Sequence, residues 1–155
     1  MRKKKYKIHK VEPDLVFKDV LITKFINHVM RKGKKNLARR IVYETLENIK
    51  KQTHSNPLEY FKKALENIGP TVEVRPRRVG GATYQIPREV KEKRRTSLAM
   101  RWLIEIAKKK KGKSMKEKLT QEILSAVKNE GDAIRKRINI EKIAAANQTF
   151  AYLVK

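Results

Sequence analysis

The chain has 155 residues, of which 40 are lysine or arginine and 16 aspartate or glutamate, a formal net charge of +24. At a Debye length of ~8 Å neighbouring cations still repel, so a compact body this basic calls for a polyanion, and nucleic acid is the expected one. No apolar run approaches the length of a membrane span and the basic residues are spread over the whole chain, which sets membranes aside; the absence of cysteine excludes disulfides, thiolate chemistry and cysteine-ligated metals.

The start, Met1 to Lys10, is basic without the apolar core of a secretory signal, which makes the cytoplasm the expected compartment. Residues 1–13 lack a sustained period and are expected to form a flexible basic tail that orders on a polyanion. Asp19 is a plausible N-cap for a first helix, with Ile22, Phe25, Ile26, Val29 and Met30 as its apolar stripe and Gly33 as its stop. Lys34 and Lys35 fall in the joint. A second helix opens after Asn36 and points Ala38, Ile41, Val42, Leu46 and Ile49 inward. Asn56-Pro57-Leu58-Glu59 reads as a third helix start, with an Asx cap, proline at the first position and glutamate at the third. Its stripe, Leu58, Phe61, Leu65 and Ile68, runs to Gly69-Pro70.

Residues 72–87 alternate β-favouring side chains around Gly80-Gly81, the signal of a tight hairpin. With those glycines as the loop, Val79 faces Ala82, Arg77 faces Tyr84 and Arg75 faces Ile86, while Arg78 lies on the opposite face. Charge on both faces excludes a dry core face in the outer hairpin, so this is an arm. It would project about 20 Å. It carries arginines, an aromatic ring and bare glycine backbone, groups suited to clamping phosphates and stacking on bases.

A long helix from about Glu92 to Lys110 buries Leu98, Ala99, Trp102, Leu103 and Ile106. Arg94, Arg101 and Lys108, at i, i+7 and i+14, share another of its faces, beside the base of the arm. Ser114 to Glu117 has the form of a capping box, and Leu119, Ile123, Ala126 and Val127 continue that helix to Gly131. The last helix is expected from about Asn139 to Leu153, with Ile140, Ile143, Ala144, Asn147, Phe150 and Ala151 on one side; the pattern leaves open whether residues 132–138 join it. The fold class is therefore mainly α: one domain over 1–155, about six helices, with a two-stranded arm between the third and fourth.

Catalytic patterns are absent. Gly112-Lys113-Ser114 resembles the end of a phosphate loop but has Ala107 where the first glycine belongs. His9, His28 and His54 have no metal-ligand spacing and read as solvated. No carboxylate pair sits in apolar surroundings, and no serine-nucleophile motif occurs. No enzyme, cofactor or metal site is expected.

Several segments together resemble a known family, bacterial-type small-subunit ribosomal protein seven. They are PDLVF (13–17), KFINHVMRKGKK (24–35), RIVY (40–43), VRPRRVGGATYQIP (74–87), RRTSLAMRW (94–102), KSM (113–115) and AANQTFA (145–151). Departures fall at Arg88, at Asn139-Ile140-Glu141 and in the YLVK ending. The resemblance implies a structural constituent of the ribosome, a primary binder of the 3′ major domain of small-subunit (16S) rRNA that nucleates assembly of the subunit head. The implied rRNA contacts are Arg2, Lys3, Lys4, Lys5, Lys7, Lys10, Lys34, Lys35, Arg75, Arg94, Arg95, Arg101, Lys108 and Lys113. Arg77, Arg78, Val79, Gly80, Gly81 and Tyr84 would lie near the exit-site tRNA and the mRNA exit path, and neighbouring small-subunit proteins are further implied partners. The competing reading is an architectural DNA-binding protein that inserts its basic β-arm into a groove.

Overall fold

A computed structural model describes residues 11–150. Six helices and one hairpin follow in order: α1 (Val20–Val29), α2 (Lys35–Thr53), α3 (Pro57–Ile68), β1 (Val72–Val79), β2 (Ala82–Glu89), α4 (Glu92–Lys109), α5 (Met115–Val127) and α6 (Asp132–Ala146). The expected mainly helical fold with an arm between α3 and α4 is the observed one. No described helix is long and apolar enough to cross a membrane.

The caps explain where helices begin. Asp19 accepts from the Leu21 N–H at 2.7 Å, and Asn56 accepts from the Leu58 N–H while its amide donates to Glu59. Both satisfy first-turn donors that a bare helix end leaves orphaned. Ser114 departs from expectation: it precedes α5 in extended backbone, but its side chain makes no capping bond. Ser114 and Glu117 are both exposed, so water competes for the groups a capping box would pair.

α1 ends at Val29 rather than running to Gly33, because Met30 is already extended and Lys32 and Gly33 take positive φ. Those left-handed residues turn the chain into α2, which starts at Lys35, with Lys34 at the N-cap. In α6 the open stretch is settled: residues 132–138 join the helix, which begins at Asp132 and ends at Ala146, short of the expected Leu153. Its first turn is capped from another helix: the Glu122 carboxylate of α5 accepts from the Ala133 N–H at 2.9 Å. Gly131 admits that approach, since at its φ of 95° a Cβ would meet Glu122 Oε1 at 2.9 Å. The face expected inward is only partly so, with Ala144 buried, Ile140 half-buried and Ile143 exposed. Ala151 and Leu153 lie outside the described residues.

The core gathers Ile22, Phe25 and Ile26 of α1, Leu46 and Ile49 of α2, Phe61 and Ile68 of α3, Leu103 of α4, and Leu119 and Ile123 of α5. α5 packs against α2, α3, α4 and α6. Phe25 and Phe61 meet at 4.9 Å between ring centroids. Each such side chain contributes roughly 1.5–3 kcal/mol by leaving water. α4 is more deeply embedded than its stripe indicates: Met100, Ile104 and Ala107 are also buried, while Leu98 is half-buried. Two buried threonines facing each other across α2 and α5 are satisfied within their own helices, Thr45 donating to the Ile41 carbonyl and Thr120 to that of Lys116.

The hairpin has the expected register, Val79 opposite Ala82, Arg77 opposite Tyr84 and Arg75 opposite Ile86, and pairs on to Val72 opposite Glu89. Gly80 and Gly81 both take positive φ at the tip. Only the base is buried, at Glu73 and Ile86, where α6 packs along both strands.

Candidate nucleic-acid interface

The acidic residues sort the basic ones into two groups. At the base of the arm, Glu73 on β1 accepts from Arg75 at 2.6 Å and from Arg94 of α4 at 2.7 Å. Burial pushes the Glu73 carboxyl up, but the hydrogen bonds from Arg94 and Arg75 outweigh it and hold the group below its usual range. The clamp fixes the arm to the helix that follows it. Arg95 is also spoken for: its guanidinium donates to the carbonyls of Gly69 and Glu66, the open end of α3. A Cβ at Gly69 would meet Arg95 Cγ at 2.7 Å, so the bare backbone there makes room for the guanidinium.

Other predicted contacts carry no such partner. Lys34, Lys35, Arg77, Arg78, Arg101, Lys108 and Lys113 are all exposed, and no carboxylate among the described residues lies within ion-pair distance of any of them. Arg77 and Arg78, and Arg101 with Lys108, occupy two places; Lys35 lies in a separate pocket with Asn27 and Arg39, Lys34 at the N-cap of α2 and Lys113 in the loop before α5. One is the outer arm, where Arg77 and Arg78 flank the glycine tip. The second is the cleft between the end of α1 and α4, a groove of about 400 Å³ lined by His28, Arg31, Arg101, Ile104, Glu105, Lys108 and Lys109.

Electrostatics in that groove are unfavourable to the free protein. Partial desolvation by the groove walls, then the charge of Arg31, pushes the Lys108 ammonium below its ordinary value. Burial, then Arg101, does the same to the His28 imidazole. Glu105, the groove's carboxylate, is turned to Lys136 and Lys109. Arg31, Arg101 and Lys108 thus stand together without a share in the groove's one carboxylate, an arrangement suited to an anion.

Several placements differ from the sequence reading. Arg94, Arg101 and Lys108 share a face of α4, but that face is divided: Arg94 closes the arm clamp while Arg101 and Lys108 line the groove. Tyr84 is not simply offered to a base, since its ring packs on Phe150 at 5.1 Å between centroids. His28 is half-buried rather than solvated, with Nε2 3.4 Å from the Ser97 hydroxyl. Arg31 was not singled out as a contact; it lines the groove beside Arg101 and Lys108. Glu73 was missed too, although a lone acid in V-E-V-R-P-R-R marks it. Arg2, Lys3, Lys4, Lys5, Lys7 and Lys10 lie outside the described residues.

The family model described as ribosomal protein S7p/S5e matches residues 1–148. The small ribosomal subunit protein uS7 of Thermotoga maritima is 52% identical over 152 residues, covering 98% of each chain. Those of Thermosipho africanus and Pseudothermotoga lettingae are 49% and 48% identical, over 98% and 99% of each chain respectively. With its helices, its arm and this match over nearly its whole length, the chain belongs to the S7p/S5e family of ribosomal proteins.

Proposed function

We propose that the chain is a structural constituent of the small ribosomal subunit in the bacterial cytoplasm. In this reading it acts without catalysis, as a primary binder of the 3′ major domain of small-subunit rRNA, and nucleates assembly of the subunit head. The helical body supplies affinity through Lys34, Lys35, Arg101, Lys108 and Lys113, with the basic tail adding phosphate contacts. The clamped residues Arg75, Arg94 and Arg95 hold the arm at a fixed angle and present their remaining N–H groups to the same RNA. The tip, Arg77 to Gly81, reaches past the body toward exit-site tRNA and the mRNA exit path, and neighbouring head proteins complete the surroundings.

The observation that carries the reading is the α1–α4 groove, where cations crowd at a cost to the free protein that an RNA backbone would relieve. Chemical footprinting of small-subunit rRNA with and without the protein tests it, and protection confined to the 3′ major domain is the expected result. The affinity should fall linearly with salt on logarithmic axes, with a slope of about −0.7 to −0.9 per phosphate neutralised. A slope shallower than about −2, or preference for bare duplex DNA at matched salt, would overturn it.

A further inference from the structure

His28 stands in the last turn of α1, facing α4 across the groove. The groups around it come from each packed element: Arg31 from the turn after α1; Ser97, Arg101, Glu105, Lys108 and Lys109 from α4; Lys24 one turn earlier on α1 itself. Ser97 sets the ring orientation by taking one side of the imidazole at Nε2, which leaves Nδ1 as the second possible donor.

We propose that His28 is a proton-linked phosphate ligand: a backbone phosphate seated among Arg31, Arg101 and Lys108 also accepts a hydrogen bond from this imidazole, which takes up a proton from solvent as the complex forms. The proposal rests on the rRNA-binding reading and names one contact within it. In the free protein burial, then the charge of Arg101, disfavours the protonated ring. A phosphate reverses both influences, since it offsets the neighbouring charges and is itself an acceptor for N⁺–H. The carbonyls at the end of α1 favour the imidazolium as well. The sign follows from linkage: affinity gained through this group is greatest below the free-state pKa, which lies under the ordinary value of 6.5. It is lost as the pH rises through the higher pKa of the complex.

The test uses the full chain and an rRNA fragment spanning the 3′ major domain. Wild type, His28→Gln and His28→Lys are titrated from about pH 5.5 to about pH 8, with calorimetry in two buffers of unlike ionisation heat. Wild type should take up about 0.3–0.8 proton more per complex than His28→Gln and gain roughly 3- to 10-fold more affinity at the acid end, since each unit of pKa shift is worth tenfold. His28→Lys, permanently charged, should bind at the alkaline end as tightly as wild type at the acid end. Should His28→Gln fail to fold, the C2 proton resonance of His28 in wild type, free and bound, reports the same shift without substitution. Equal proton uptake by wild type and His28→Gln, or a His28 resonance whose titration does not move on binding, overturns the assignment. If wild type binds with steep salt dependence while these results fail, only the role of His28 falls; if wild type does not bind the fragment, the rRNA reading falls with it.

Discussion

The base of the arm and the α1–α4 groove are built from the same residue types and differ in where the acids are. At the base, Glu73 gathers Arg75 and Arg94 into a clamp, and deeper in the body Glu122 holds Lys110. In the groove, Arg31, Arg101 and Lys108 stand together with Glu105 drawn off to Lys136 and Lys109. A cation beside its own carboxylate is part of the architecture, whereas one left beside other cations stores repulsion that a ligand can release. With so few acidic residues, their placement decides which basic residues are structural and which are left without a carboxylate partner among the described residues.

Breaking the architectural side should cost most. Glu122 has no exposed surface, pairs with Lys110 and caps α6, so Glu122→Ala should lower the unfolding free energy by about 3 kcal/mol, read by denaturant titration. On the other side of the comparison, Arg101→Ala should leave that stability intact and reduce affinity for the rRNA fragment by about 1–3 kcal/mol, with a shallower salt slope. An Arg101 variant that melts early but binds normally would reverse the assignment of the two groups. Glu73→Gln, at the clamp, should cost about 1–2 kcal/mol near neutral pH. Because the folded Glu73 carboxyl sits below its ordinary value of 4.5, its contribution is present above that value and is lost as pH falls through the folded one; Glu73→Gln should remove this component of acid sensitivity. The smallest effect belongs to the tip: Arg77→Ala with Arg78→Ala should change folding stability by no more than ~0.5 kcal/mol and rRNA affinity less than Arg101→Ala does, while weakening deacylated tRNA on reconstituted subunits.

Local rules made much of this fold legible. The Gly80-Gly81 pair fixes the register of the whole hairpin, because cross-strand positions on either side of a two-residue loop are determined once the loop is placed. Asp19 and Asn56 announce their helices within two residues of themselves. What stayed hidden depends on side chains brought from elsewhere. The first turn of α6 is capped by Glu122, from another helix, and Ser114 has the right neighbours yet no capping bond. In the interface, spacing along α4 correctly put Arg101 and Lys108 on one face, but the clamp at Arg94 and the arrival of Arg31 and His28 depend on tertiary packing.

The contact between Tyr84 and Phe150 also has a consequence for biosynthesis. Chains emerge from the N-terminus and begin folding as they are made. The two strands of the arm are therefore complete while most of the second half of the protein is still untranslated, and the helix that packs along them comes last. A nascent or prematurely terminated chain would hold the hairpin by its clamp to α4 alone, without the aromatic prop. Only a chain translated through Phe150 has the aromatic contact as well as the clamp to support the arm.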